Sequence, residues 1–227
     1  MDRTVILGLD LGQRRDPTAL AVVESVPEQT GRTVHIDHEP PWGECKSCYP
    51  AMEDAFYCRD VARLPLNMRY REQAEHVAEV VGGLNERGVK PYLLVDATGG
   101  GIPAAEEIEA ALADVDCYLS NVTFTSGEGK PRGALGSASV SMPKTYLAQR
   151  VQSLLQSGRL RLPDTERHRA LAEELRTYEV RVTESNRRVG LVAGAFKMGT
   201  HDDMATALGL ACLFDPSGAS GDCPRFG

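Results

Sequence analysis

The chain has 227 residues, of which 42% are hydrophobic and 25% are charged, and this composition excludes collagen-like, low-complexity and disordered proteins. Its 25 Lys and Arg residues stand against 32 Asp and Glu residues, a formal net charge of -7, which argues against a protein that coats nucleic acid through surplus cations. The same balance is compatible with an enzyme that gathers carboxylates around metal ions and meets phosphate through them.

The first half of the sequence predicts strands followed by a helix. Strands are predicted at 5–10, 19–23, 33–37 and 56–64, the last being a fourth strand or a continuation of the third. The short turn after Asp10 favours a hairpin between the first two strands. Residues 39–54, rich in Pro, Cys and acids, break the alternation and indicate an insertion. Residues 67–87 carry Ala and Val at helical spacing, and Gly88 ends this helix.

The second half of the sequence alternates strands and helices. The predicted elements are strands at 92–96 and 116–124, helices ending near 112 and covering about 143–154, 164–178 and 202–214, and a hairpin at 180–193. Residues 126–138 predict a Gly-rich loop. An early hairpin followed by strand–helix alternation is typical of one α/β domain with a mixed sheet. We expect this domain at residues 1–215, with a Cys-bearing insertion at 39–58 and a flexible tail at 216–227.

Acidic residues occupy three matched places in this predicted fold. Asp10 ends the first strand, Asp96 ends a later strand, and Asp202 and Asp203 begin the final helix. If the two strands are parallel neighbours, their carboxylates emerge at one edge of the sheet, where the helix supplies the third. Carboxylates held together repel each other unless a cation compensates. Mg²⁺ prefers a few carboxylate oxygens together with water and phosphate, and two such ions can clamp the attacking water and the leaving oxygen of a phosphodiester.

Helix geometry ranks the two adjacent acids. From Asp203, positions 206, 207, 210 and 214 form the apolar stripe expected to pack on the sheet, whereas Asp202 leads onto a weaker face. We therefore predict Asp203 as the primary ligand and Asp202 as a helper or an N-terminal helix charge. Taken singly, each of these acids is equally consistent with a turn or a helix cap.

Six short segments stand out along the chain: 8–12 (GLDLG), 16–20 (DPTAL), 94–99 (LVDATG), 143–144 (PK), 154–160 (LLQSGRL) and 201–203 (HDD). Their residues, order and spacing resemble the nuclease domain of the large terminase subunit of tailed bacteriophages. The resemblance implies a ribonuclease H-like fold with a mixed five-stranded core sheet. It also implies an endonuclease that cleaves double-stranded DNA with divalent metal during viral genome packaging.

The resemblance extends to individual site residues. By that resemblance the metal-binding acids, which would hold two Mg²⁺ or Mn²⁺ ions, are Asp10, Asp96, Asp203 and the accessory acids Asp16 and Asp202. Lys144 matches the lysine of the family's Pro-Lys element, which implies a phosphate contact in catalysis. The alternative for Lys144 is an exposed charge at a helix start.

One departure from that family concerns ATP hydrolysis. Large terminase subunits carry an N-terminal packaging ATPase, and the best local match to a phosphate loop here has Phe124 in place of the first Gly and Pro131 in place of the Ser or Thr. We therefore expect an isolated nuclease domain or a separate nuclease subunit. Its expected partners are double-stranded DNA, a packaging ATPase, the small terminase subunit and the portal protein.

The Cys-bearing insertion is a second departure. Cys45 and Cys48, followed by Cys58 and preceded by His38 and His35, offer a Cys₃His zinc site. Zinc would fix a loop that is too short and polar to fold alone. The alternative is three free thiols in a surface loop.

Local pairs of cations partly offset the acidic balance. The pairs lie in predicted turns or loops and are Arg14 and Arg15, Lys130 and Arg132, and Arg187 and Arg188. We predict that they contact DNA phosphates without reading sequence. The alternative for each pair is a solvated turn.

Three further functions remain open. A Holliday-junction-resolving nuclease also has acids at the start of its last helix and would prefer branched DNA. An actin-like or sugar-kinase-like nucleotide binder would use segments 8–12 and 96–101 as phosphate loops. A packaging component that has lost catalysis is a further alternative, against which the complete set of acids argues.

The N-terminal apolar segment of five residues is too short for a signal peptide, so we expect a cytoplasmic protein, in the host if it is viral, with reduced thiols.

Overall fold

The structure is a computed structural model. It describes residues 3–12, 16–38, 45–98, 102–125, 129–185, 188–195 and 201–217. At 35–38, 45–48, 102–103, 179–185 and 188–195 it describes the course of the backbone.

The described part of the chain forms nine strands and five helices. The strands are β1 (Thr4–Asp10), β2 (Ala19–His38), β3 (Cys45–Arg63), β4 (Tyr92–Asp96), β5 (Tyr118–Thr125), β6 (Ser139–Pro143), β7 (Leu160–Arg161), β8 (Tyr178–Ser185) and β9 (Arg188–Ala195). The helices are α1 (Tyr70–Asn85), α2 (Ile102–Ala111), α3 (Lys144–Gln156), α4 (Glu166–Thr177) and α5 (Asp203–Ala211). The mixed α/β architecture predicted from the alternation of elements is confirmed.

Seven strands form one mixed sheet in the order β6-β5-β4-β1-β2-β3-β7. Strands β1, β4, β5 and β6 are parallel neighbours, β2 runs antiparallel to both β1 and β3, and β7 pairs parallel with β3. Strands β8 and β9 form a separate antiparallel hairpin, as predicted for the segment before the last helix. The core sheet therefore has seven strands rather than the five that the resemblance implies. The short edge strands β6 and β7 give little periodic signal in the sequence.

Helices cover both faces of the sheet. Alternation along each strand sends Ile6 and Leu94 to one face, where they pack with α3, α4 and α5, and sends Leu7 and Leu93 to the other, where they pack with α1 and α2. Helix α1 buries Val77 and its neighbours at helical spacing, and α5 is buried along its whole length. This three-layer arrangement leaves the carboxyl edge of the parallel strands as the place where loops meet.

The segment predicted as an irregular insertion is, in its second half, a strand. Strand β3 pairs with β2 from His38 opposite Cys45 down to Ala19 opposite Arg63, with irregularities near 22–23 and 29–33. The expectation of a loop through residue 54 is therefore wrong for residues 45–54, which adopt extended structure because β2 provides a long partner. Residues 39–44 lie outside the described part.

The end of α5 is tied to the rest of the domain. Asp215 Oδ1 accepts hydrogen bonds from Arg150 at 2.8 Å and Arg159 at 2.5 Å. Ser217 donates through its backbone N–H and its hydroxyl to Asp54 Oδ2, at 3.1 and 2.8 Å. The tail predicted to be flexible begins at residue 216, but these hydrogen bonds hold the chain in place as far as residue 217. Residues 218–227 lie outside the described part.

Among the described helices, none has the length and apolar character needed to cross a membrane.

Candidate active site

Two carboxylates lie at the ends of adjacent parallel strands. Strands β1 and β4 pair in register, and Asp10 and Asp96 are their last residues. Because side chains alternate along a strand, Asp10 continues the face of Gly8 and Asp96 continues the face of Leu94, which is the face covered by α5. The parallel pairing on which the predicted acidic cluster depended is confirmed.

Gly8 allows helix α5 to approach this edge. A Cβ atom at Gly8 would lie 1.9 Å from the carbonyl oxygen of Ala207, so no larger residue fits between β1 and α5. The helix backbone therefore packs directly on the strand, two residues before Asp10. This close contact brings Asp202 and Asp203, at the start of α5, to the same edge as the strand-end acids.

The carboxyl group of Asp10 is strongly perturbed by these surroundings. Burial and then the negative charge of Asp96 raise its pKa well above the usual range, and Asp203 and Asp202 raise it further. The cation of Lys144 offsets part of this effect. A group of carboxylates that resist ionising together is stabilised by an added cation, and their oxygens are the donors that Mg²⁺ and Mn²⁺ prefer.

Lys144 is the cation that the structure places among these acids. It begins α3 directly after β6, and its Nζ lies 2.9 Å from Asp202 Oδ2. Burial alone lowers the pKa of this ammonium group, but its electrostatic interactions with Tyr178, Asp202 and Asp10 outweigh burial and raise it. Lys144 therefore stays charged, and Asp202 serves first as its partner. Tyr178, whose pKa burial raises to about 12, is a neighbour that sequence patterns did not identify.

Asp96 is oriented by the turn that follows β4. Its Oδ1 accepts a hydrogen bond from the backbone N–H of Thr98 at 2.8 Å. The hydroxyl oxygen of Thr98 accepts the backbone N–H of Phe124 at 2.8 Å, which ties the turn to β5. The Phe124 ring lies 5.9 Å from the Lys144 ammonium. Contacts between neighbouring residues therefore link Asp96, at the end of β4, to Lys144, which follows β6.

Asp16 and His201 form a second part of the site, together with Asp203. His201 Nδ1 lies 3.6 Å from Asp16 Oδ1 and 3.7 Å from Asp203 Oδ2, and one ligand atom from each residue falls within 4.8 Å of the others. Thr18 fixes the turn that carries Asp16, because its hydroxyl oxygen accepts the Gly12 N–H at 2.9 Å. His201 belongs to the HDD segment, but its imidazole was not predicted as a ligand.

Arg63 and Glu174 hold Asp203 from the opposite side. Arg63 donates to Asp203 Oδ2 at 3.2 Å and to Glu174 Oε2 at 2.8 Å. Glu174 Oε1 also accepts the backbone N–H of Ala205 at 3.1 Å, which satisfies a free donor in the first turn of α5. The three side chains come from β3, α4 and α5, so no local pattern in the sequence could have identified this network.

The apolar stripe of α5 does not distinguish Asp203 from Asp202. Every residue of α5 from Asp203 to Ala211 is buried, so the helix has no exposed stripe that distinguishes one acid from the other. The two differ in their surroundings instead. Asp203 is 3% exposed and faces Arg63, Asp16 and His201, whereas Asp202 is half-buried and pairs with Lys144.

The predicted zinc site does not come together at Cys58. Cys58 is buried in the core of the domain, opposite Val23, and burial raises its pKa to about 12. It is ten residues from Cys48 along the same strand, which is about 30 Å at 3.3 Å per residue. Its place in a site with Cys45, Cys48 and His38 is therefore wrong. The other predicted ligands, Cys45, Cys48 and His38, lie close together in the backbone register, where Cys45 is opposite His38 and Cys48 is opposite His35.

Of the six cations predicted to contact DNA, the structure describes the side chains of Lys130 and Arg132. Both are exposed and line a cavity beside Pro143, the residue before Lys144. Arg188 begins β9. The other three predicted cations, Arg14, Arg15 and Arg187, lie outside the described residues.

Solved structures of one viral nuclease domain match nearly the whole chain. The nuclease domain of the large terminase subunit gp2 of bacterial virus Sf6 matches with a TM-score of 0.57 at 12% sequence identity, covering 98% of this chain and 89% of that chain. The chain has the fold of a large terminase nuclease domain. Structures of a variant of that terminase domain with calcium and with manganese match with TM-scores of 0.55 and 0.56, at 13% and 14% identity, each covering 94% of this chain and 89% of the other.

No family profile and no curated protein matches the sequence. The fold expected from the resemblance, the ribonuclease H-like terminase nuclease fold, is confirmed by the structural matches. At 12–14% sequence identity, these matches establish a shared backbone fold.

Proposed function

We propose that this protein is a metal-dependent endonuclease that cleaves double-stranded DNA, acting as the nuclease of a viral genome-packaging terminase. The observation that carries the proposal is the convergence of Asp10, Asp96, Asp202 and Asp203 on one edge of a terminase nuclease fold. The solved relatives with manganese and with calcium are variants of the Sf6 terminase nuclease domain, which supports the same use of these acids here.

The residues present fit a pair of divalent ions. Asp10 and Asp96 on the strands, and Asp203 on the helix, supply hard oxygen donors, and burial together with their mutual repulsion raises the pKa of Asp10. Asp16 and His201 stand beside Asp203 and supply further donors. When bound, two Mg²⁺ or Mn²⁺ ions supply the Lewis acidity that activates water and stabilises the leaving oxygen of a phosphodiester.

The remaining side chains orient the acids and the substrate. Arg63 fixes the carboxylate of Asp203, and the charged Lys144, at the start of α3, offers a contact to a phosphate oxygen that approaches the acids. Asp202 holds that ammonium group in place at 2.9 Å. These groups position charge before the substrate arrives, so little reorganisation is needed during the reaction.

The wider setting is proposed on the same basis. We place residues 1–215 in the nuclease domain and expect a packaging ATPase, the small terminase subunit and the portal protein as partners in the host cytoplasm. The predicted contacts of Arg14, Arg15, Arg187 and Arg188 with DNA belong to this proposal.

The test is cleavage of plasmid DNA with titrated Mg²⁺ and Mn²⁺. Asp10→Asn and Asp96→Asn should each lower cleavage at least about a thousandfold, because each removes a charge that holds the ions. Asp164→Asn is the matched control, since Asp164 is exposed and pairs with Arg169 on the surface of α4. The control should cleave as the wild-type protein does.

Circular, linear and four-way-junction DNA are compared in the same assay. Full activity of Asp10→Asn would reject the proposed site. A strong preference of the wild-type protein for junctions would instead favour a resolvase. Calorimetric binding of ATP without any nuclease activity would favour a nucleotide-binding protein.

A further inference from the structure

A cavity of about 300 Å³ lies beside the acidic cluster, between the ends of β5 and β6. Its lining residues include Thr125, Lys130, Arg132 and Ser141, so two basic residues and two hydroxyl-bearing residues border one space. Arg132 is fixed by two backbone hydrogen bonds with Ser141, at 2.8 and 3.0 Å. The cavity wall is therefore built on the sheet.

The two cations of this cavity are available to an anion. Lys130 and Arg132 are exposed, and within the described ranges neither side chain forms an ion pair. The arginines of α4 behave differently, since Arg167 and Arg169 are paired with Asp60 and Asp164 at 3.0 and 2.6 Å. An unneutralised Lys and Arg beside hydroxyl groups have the chemistry that recognises phosphate oxygens.

The cavity lies on the same sheet edge as the acids. Because β1, β4, β5 and β6 are parallel neighbours, their carboxyl ends follow one another in the order Asp10, Asp96, Thr125 and Pro143. Neighbouring strands are about 4.8 Å apart and rise about 3.3 Å per residue. Thr125 lies three residues beyond Val122, the partner of Asp96, so the cavity is roughly 14–18 Å from Asp10. DNA advances about 3.4 Å per nucleotide along its axis, so a strand crossing the acids would reach the cavity after about four or five nucleotides.

We propose that this cavity is a phosphate subsite, in which Lys130 and Arg132 bind the backbone of the DNA strand a few nucleotides from the cleaved bond. The inference rests on the proposed nuclease function and adds a substrate-positioning site to it. Binding there is independent of base sequence, because only phosphate oxygens are contacted. Lys130 and Arg132 hold the substrate and take no part in the bond-breaking step.

The test is the affinity of the Lys130→Gln, Arg132→Gln double variant for a fluorescein-labelled 24-base-pair duplex. Anisotropy is measured in an Asp10→Asn background with Mg²⁺, so that DNA is bound without being cut. We expect roughly tenfold weaker binding at 100 mM salt. The slope of log affinity against log salt should fall by about two, since each lost phosphate contact removes about 0.9.

The control carries the same change in net charge elsewhere. Arg167→Gln with Arg169→Gln should change duplex affinity less than about twofold, and Lys130→Arg with Arg132→Lys should keep both affinity and salt slope. In the protein with Asp10 intact, the cavity variant should raise KM for cleavage and leave kcat within about twofold.

Three results would overturn the subsite. The first is wild-type affinity and salt slope in the cavity variant. The second is an equal loss in the α4 control, which would assign the effect to net charge. The third is metal-dependent cleavage by the cavity variant with the wild-type KM, which rejects the subsite and leaves the proposed function intact. Complete lack of cleavage by the wild-type protein rejects the proposed function, while the anisotropy experiment still decides the subsite.

Discussion

Glu174 is a buried acid that links α4 to the first turn of α5. Its side chain is 4% exposed, and burial raises its pKa to about 7, with the charge of Asp203 adding to the effect. The N–H groups of Ala205 and Met204 and the guanidinium of Arg63 act in the opposite direction. Glu174 therefore stabilises the start of α5 through hydrogen bonds while resisting ionisation.

This pKa predicts how stability changes with pH in the metal-free protein. A carboxyl group that binds its proton more tightly when folded stabilises the fold fully below its ordinary pKa of 4.5, and this stability is lost as pH rises through about 7. The loss is at most about 3 kcal/mol, at 1.36 kcal/mol per pKa unit. The free energy of unfolding is measured with urea in EDTA at pH 5 and at pH 8. We expect it to fall less between these two pH values in Glu174→Gln than in the wild-type protein.

The control for this experiment is Glu173→Gln. Glu173 is 70% exposed and pairs with Arg176 on the surface, so its substitution should leave the pH profile of the wild-type protein intact. A Glu174→Gln profile with the wild-type slope would show that another group causes the pH dependence.

At the scale of elements, the contact of β1 with α5 determines whether the strand acids and the helix acids meet. Gly8→Ala would place a methyl group 1.9 Å from a backbone oxygen of α5, so the helix must move away. We expect a loss of unfolding free energy of about 3 kcal/mol and a large loss of nuclease activity. Both are measured on the purified variant, by urea unfolding and by plasmid cleavage.

Gly83→Ala is the matched control within α1. Apart from the adjoining residues of its own helix, no described residue has an atom within 4 Å of the added Cβ. Alanine also favours helix, so stability should rise by up to about 1 kcal/mol with no change in activity. Equal stability of Gly8→Ala and the wild-type protein would contradict direct packing of α5 on β1.

At the scale of the whole molecule, metal binding should stabilise the fold. Burial and the neighbouring acids make Asp10 resist ionisation without a cation, and a ligand at a hundred times its Kd adds about 2.7 kcal/mol to stability. We expect Mn²⁺ to raise the unfolding temperature of the EDTA-treated wild-type protein in scanning fluorimetry. Asp10→Asn should already be more stable without metal and should gain much less from Mn²⁺. A full Mn²⁺ shift in Asp10→Asn would place the ion elsewhere.

Much of the fold was predictable because its core elements carry strong local patterns. The apolar runs of β1 and β4 and the helical spacing in α1 specify their elements without reference to the rest of the chain. The two-residue strand β7 and the extension of β3 through residues 45–54 have no such pattern. They become strands because a neighbouring strand offers its hydrogen-bonding groups.

The candidate site likewise contains residues that the sequence identified and residues that it did not. Asp10 and Asp96 were identifiable because each ends an apolar run, and the parallel pairing of those runs brings them together. Arg63 was not identifiable, because its partners Glu174 and Asp203 lie 111 and 140 residues away in the sequence. Cys58 was assigned to a metal site from spacing alone, although its strand carries it into the core.

The sequence by itself determined which acids could form the site, since local hydrophobic periodicity places each one at the end of a buried element. Only the tertiary structure decided which charged partner each acid has. Asp202 pairs with Lys144, and Asp203 pairs with Arg63 and has Asp16 and His201 nearby. The physical reason is that charge pairing depends on distances between elements, and these follow from packing, such as the contact of α5 with Gly8, that no local pattern encodes.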